Sequence, residues 1–161
     1  MIIGLGCRPD GDQPNIGIVH LERVEAELRV SATPLRPSRH HDLSQKLLNL
    51  AADLETHLAD LQPAAIVVRT MERWGGGQRS PHEPSTRLRL RVEGVLLATA
   101  RRHIESEVRV LTGQEIGRIC NSNKDAVNAQ AQALLGDQRR RPELVDACEA
   151  ALAGLTLSEV S

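Results

Sequence analysis

The stretch DLSQKLLNLAADLETHLADLQPAAIVVR, from Asp42 to Arg69, decides how the chain is organised. Leu43, Leu47, Leu50, Leu54, Leu58 and Leu61 recur at steps of three or four, which makes one apolar stripe on an amphipathic helix. Asp42 stands where an N-cap acceptor belongs, and Pro63 closes the helix. Ala64-Ala65-Ile66-Val67-Val68 follows without a polar interruption. Such a run, partly β-branched, suits a strand covered on both faces at the centre of an α/β sheet.

Upstream, Ile2-Ile3-Gly4-Leu5-Gly6 reads as a buried strand, and Arg8 to Pro14 is dense in turn formers. Ile16-Gly17-Ile18-Val19 and Ala26 to Val30 supply the next two strands of an N-terminal meander, and Thr33 to Ser38 reads as a loop. Downstream, Glu72 to Pro84 reads as a loop around Gly75-Gly76-Gly77. Arg87 to Val92 alternates with period two, yet Leu88, Val92, Val95, Leu96 and Thr99 share one helical face, which favours a helix despite Gly94. Val108-Arg109-Val110-Leu111 is a fifth strand. Thr112 and Glu115 have capping-box spacing for a short helix to about Ile119. Asn121-Ser122-Asn123 caps a helix through Leu135, and Pro142 opens the last helix, which carries Asp146 and Glu149. The class is α/β, a five-stranded mixed sheet with helices on its faces.

With 161 residues the chain fits one domain, expected over 1–155, with 156–161 as a tail. Lys+Arg 20 against Asp+Glu 21 gives a net charge of −1, which argues against a dedicated electrostatic nucleic-acid module but allows a local basic face. Cys7, Cys120 and Cys148 are an odd number at wide spacings, supporting neither a zinc site nor a disulfide framework. No apolar run approaches a membrane span, and Met1-Ile2-Ile3-Gly4 has no basic signal-peptide start, so a soluble cytoplasmic protein is expected. Phe and Tyr are absent and Trp74 is the single aromatic, so the core must be aliphatic.

Several charged or glycine-rich stretches invite chemistry that their spacing does not support. His40-His41-Asp42 lacks the i,i+4 spacing of a helical ligand pair, and Gly75-Gly76-Gly77 lacks the Gly-Lys-Ser/Thr of a phosphate loop. Arg87, Arg89, Arg91, Arg101 and Arg102 spread around a helix and read as solvated. Arg139-Arg140-Arg141 is the densest basic run and suits contact with a nucleic-acid backbone, or simple exposure.

The order of elements, together with three stretches, resembles the RuvC-type Holliday junction resolvases, members of the ribonuclease H-like nucleases. Asp42-Leu43-Ser44 through Leu61-Gln62-Pro63 is similar to the family's first long helix and its closing Gln-Pro. Asn121-Ser122-Asn123-Lys124 resembles the small-residue loop ending in Lys, and Asp146-Ala147-Cys148-Glu149-Ala150-Ala151-Leu152-Ala153 resembles the Asp-Ala-Ala-Asp-Ala-Leu-Ala run. The resemblance implies a ribonuclease H-like fold, branched DNA as partner, a role in recombination and repair, and a homodimer, placed here on the Leu88–Ala100 helix. Asn121, Lys124, Arg139, Arg140 and Arg69 are the nucleic-acid contacts it suggests.

The departures bear on activity. The resemblance places a metal-binding Asp at the end of the first strand, where this chain has Gly6, and a Glu at the end of the central strand, where it has Arg69. An aromatic expected three residues further on is Glu72. Asp146 and Glu149 alone keep acids, three apart on one helical face. With Arg69 among them the site would carry −1 rather than −4, too little to hold two Mg²⁺ ions, and a guanidinium would repel each ion by several kcal/mol at ~4 Å. The expectation is therefore a pseudonuclease without a cofactor, in which Arg69 pairs with Asp146 or Glu149. The alternatives are an active Mg²⁺-dependent junction nuclease with an atypical site, for which Asp10 in the first loop is the candidate replacement acid, and a protein that keeps only the fold for interaction.

Overall fold

The computed structural model describes residues 1–72, 84–103 and 107–160. Trp74 and Gly75-Gly76-Gly77 lie outside the described residues, as does most of the loop expected from Glu72 to Pro84. The chain runs β1 (Ile2–Cys7), β2 (Ile16–Val24), β3 (Glu27–Leu35), α1 (Leu43–Leu58), β4 (Ala65–Arg69), α2 (Pro84–His103), β5 (Glu107–Leu111), α3 (Gly113–Ile119), α4 (Lys124–Leu135) and α5 (Pro142–Val160), with a 3₁₀ turn over Gly136–Arg140. The sheet order is β3-β2-β1-β4-β5. β1 pairs antiparallel with β2 and parallel with β4, so the meander is joined to a parallel half through the central strand.

Alternation along the strands divides the aliphatic core in two. Ile3, Leu5 and Cys7 of β1 and Ile66 and Val68 of β4 pack on α1 and α2. Ile2, Ala65 and Val67 point to the other face, against α3, α4 and α5. On that second face β1 also carries Gly4 and Gly6, which let α5 lie directly on the strand. A Cβ at Gly6 would stand 2.6 Å from the Ala147 nitrogen and the Glu143 carbonyl oxygen. Helix α5 is consequently buried over every residue from Glu143 to Gly154, and its alanines thin the layer where a chain without Phe or Tyr has no large side chains to fill it.

Local signals explain most element ends. The Asp42 carboxylate accepts from the Gln45 N–H at 2.9 Å and opens α1. Thr112 and Glu115 form the reciprocal capping box of α3, and Asn123 caps α4 through the Ala126 N–H at 2.8 Å. Three boundaries differ from expectation. α1 stops at Leu58 rather than at Pro63, although Leu61 still packs on its cluster. Thr33-Pro34-Leu35 belongs to β3, not to a loop, because β3 is an edge strand and an edge tolerates a proline. The residues expected as a tail from 156 continue α5 to Val160, pinned where Arg23 holds Glu159 at 2.6 Å.

Candidate functional site

The parallel register Leu5–Val68 sets the ends of β1 and β4 side by side, and with them Gly6 and Arg69. Arg69 follows Val67 on the face turned to α5. Across from it, Glu143, Asp146 and Glu149 recur every three residues along α5, each side chain 2 % exposed. Gly6, Arg69, Asp146 and Glu149 therefore converge. The carboxylates are held by guanidinium groups.

Arg69 Nε donates to Glu149 Oε2 at 3.2 Å, both side chains buried, and the other Glu149 oxygen accepts from Asn128 Nδ2 at 2.7 Å. A second Arg69 nitrogen donates to the Thr70 carbonyl. Asp146 is gripped bidentately by Arg8, at 2.7 Å from Nε and 2.9 Å from Nη2, and Arg89 Nη2 lies 3.4 Å from the same carboxylate. Arg89 Nε also donates to Glu93 at 2.8 Å, while Thr70 Oγ1 donates to the second Glu93 oxygen at 2.6 Å. Arg36 reaches Glu143 at 3.0 Å. Four buried acids thus face four arginines, and the cluster is neutral.

Glu72 completes the rim, with Oε1 buried and without a hydrogen bond, 3.6 Å from both Arg69 and Lys124. Burial works against the Arg8 charge, but the hydrogen bond and charge of Asp146, with Glu149 behind it, outweigh that cost and raise the guanidinium's pKa. Burial pushes the neighbouring Cys7 thiol up to about 12, so it offers no thiolate nucleophile at neutral pH.

Magnesium, which the resemblance implies for an active resolvase, does not suit this donor set. A hard dication needs open carboxylate oxygens, and those of Asp146 and Glu149 are occupied by Arg8, Arg89, Arg69 and Asn128. A carboxylate at position 6 would collide with α5. Among the described residues no group of three or more His, Cys, Asp or Glu side chains is disposed to hold a metal ion.

With this geometry in place, comparison with solved structures is decisive for the fold. The structure of RuvC from Thermus thermophilus superposes with a TM-score of 0.69 over 99 % of this chain and 95 % of that one, at 17 % identity. The chain has a RuvC-type fold. The T. thermophilus RuvC in complex with its Holliday junction substrate matches equally, with a TM-score of 0.69, 18 % identity, and 99 % and 96 % of the two chains covered. No protein-family model matches the chain, and no curated protein does.

The remaining expected site residues are spread more widely around the RuvC-type scaffold. Lys124, the first residue of α4, reaches the rim through Glu72. Asn121 is exposed and has a positive φ of 49°, ending α3 as its N–H bonds the Arg118 carbonyl at 3.1 Å, which is a backbone role. Arg139 and Arg140 are exposed on the 3₁₀ turn leading into α5 and take no part in the ion pairs of the cluster. Arg69, at 3 % exposure, is turned inward rather than toward solvent. Asp10 faces a small crevice beside Gln13, Arg36 and Arg39 and does not join Asp146. Arg89, read from the sequence as solvated, is 11 % exposed and central to the cluster. Arg8, Arg36, Glu93, Asn128 and Glu143 join the site without any sequence motif that marks them. Glu143, three residues before Asp146 on one helix, and the i,i+4 pair Arg89–Glu93 carry a usable spacing signal; Arg8 and Arg36, in irregular segments directly after β1 and β3, do not.

Proposed function

We propose that this protein binds branched or structured nucleic acid, with the four-way junction as the first candidate, and does not cleave it. The observation that carries the reading is the pairing of Arg69 with Glu149 and of Arg8 with Asp146, fixed cations where hydrolysis would require exchangeable ones. The T. thermophilus RuvC that shares this fold has been solved with a Holliday junction, which supports a branched ligand.

Binding is assigned to the outward cations around the cluster. Arg8, Arg36 and Lys124 are 45, 55 and 49 % exposed, and Arg139, Arg140 and Asn121 lie further out. Arg8 and Arg36 each hold a buried carboxylate from the surface, so part of each guanidinium faces water, where a phosphate oxygen can accept. The reading includes a homodimer through α2, whose Leu90 is 48 % exposed and where a Cβ at Gly94 would meet nothing within 4 Å. A cytoplasmic location goes with it.

The test is an electrophoretic shift of labelled four-way junction against linear duplex of the same length, repeated across salt. Preferential retention of the junction is expected, with affinity falling as salt rises at a log–log slope of about −0.9 per phosphate contacted. Equal or absent binding of both DNAs would favour the interaction-protein reading, to which the net charge of −1 lends support.

A further inference from the structure

We propose that the cleft between the N-terminal turns of α1 and α2 is a binding site for a nucleoside phosphate. Its residues are separate from the Arg8, Arg69, Asp146 and Glu149 cluster, although α2 also carries the proposed dimer face.

The cleft has a volume of about 680 Å³ and is walled by the first loop at Gly11 and Asp12, by His41 to Lys46, and by Pro84 to Arg91. That volume lies within the range of small-molecule sites, roughly 300–1,000 Å³, and exceeds what a bare phosphate fills. Its chemistry is divided. Leu43, Leu88 and Pro84 give an apolar wall, while Lys46, Arg87 and Arg91 bring three cations to the same space.

Lys46 is the decisive residue. Its side chain is 3 % exposed, an unusual place for an ammonium, and its hydrogen bond of 2.8 Å goes to Asp12, whose side chain is 86 % exposed. A buried ammonium is costly unless well paired, and it carries three donors. Here the counter-ion is a surface carboxylate on a turn that passes through Gly11 at φ +59°. Asp12, on the solvent side of the ammonium, thus stands where the anion of a ligand would stand and is displaceable. The other acid of the cleft, Asp42, has an oxygen committed to the Gln45 N–H as the cap of α1. A phosphate on Lys46 leaves the apolar wall of Leu43, Leu88 and Pro84 for a flat heterocycle, with Arg91 on the same lining.

The test uses the full chain with deoxyadenosine monophosphate, inorganic phosphate and an eight-nucleotide single strand. Binding is read by calorimetry and by methyl NMR shifts of Leu43 and Leu88. Deoxyadenosine monophosphate is expected to shift both methyl sets and to bind at least tenfold more tightly than phosphate. Lys46→Met should lose that binding by tenfold or more, and Asp12→Asn, which removes the competing anion, should tighten it several-fold. Equal affinity for nucleotide and strand assigns a free nucleotide; a strand preference of tenfold or more, still lost in Lys46→Met, assigns a nucleotide within a strand. The proposal is overturned if neither probe moves the two leucines at millimolar concentration, if phosphate binds as tightly as the nucleotide, or if Asp12→Asn weakens binding. Should Lys46→Met fail to fold, the surface variant Asp12→Asn decides alone. Junction retention is expected to be unchanged in Asp12→Asn, so loss of one activity is distinguishable from loss of the other.

Discussion

Replacing Arg69 by Met removes the guanidinium while keeping a chain of similar length in the gap between β4 and α5. Glu149, 2 % exposed, then keeps a charge stabilised by one hydrogen bond, from Asn128. Removing one member of a buried ion pair costs about 3–5 kcal/mol, because the other is left uncompensated in a poorly solvated place. For a domain of this size each kcal/mol moves the melting temperature by about 2–4 °C, so Arg69→Met should melt about 6–20 °C lower at pH 7. Adding Glu149→Gln should recover a large part of the loss at pH 7. Urea denaturation of the wild type and of the single and double variants at pH 7 measures each quantity. A loss below about 1 kcal/mol, with no recovery in the double variant, would refute the claim that the buried pair organises this site.

Gly6→Asp, which installs the acid that the resemblance implies for an active resolvase, should destabilise the fold by about 3 kcal/mol or more, because its Cβ meets the α5 backbone at 2.6 Å. It should also leave the Mg²⁺ response of the melting temperature flat; a gain in stability with Mg²⁺ would contradict the packing argument. Thr112→Ala deletes the cap of α3 and should cost about 1 kcal/mol in denaturant unfolding, with no change in the slope. His20 has a pKa held below 6.5, by burial first and then by the charge of His57. The unfolded chain therefore takes the proton first, and stability should decline as pH falls through 6.5, levelling below the folded-state value. His20→Asn should remove that part of the slope between pH 7.5 and 5.5, and an unchanged slope would show that His20 does not cause it.

The fold was legible because its signals are local or periodic. The leucine spacing of α1, the caps at Asp42, Thr112 and Asn123, and the apolar run of β4 each report a short-range preference that the tertiary structure keeps. Pro34 misled because a proline reads as a loop unless the strand is known to lie at an edge, and sheet order is a long-range property. At the site, the convergence of Gly6, Arg69, Asp146 and Glu149 could be expected from strand ends and helix spacing. The partners could not. Arg8 and Arg36 come from irregular segments directly after β1 and β3, and Arg89 lies in a helix whose arginines look equivalent in sequence; only the packing of α2 against the ends of β1 and β4 turns one of them inward. Gly6 likewise reads as a lost ligand, whereas the structure gives it a second role, admitting α5 against β1.

One experiment bears most directly on the proposal that Arg8 and Arg69 stand where a resolvase would hold metal ions. Purified protein is incubated with labelled four-way junction in EDTA, in Mg²⁺ and in Mn²⁺, and the strands are resolved on a denaturing gel. Intact strands under all three conditions, with the junction retained equally in each, are the predicted result. Metal-dependent nicks that disappear in Asp146→Asn would contradict it.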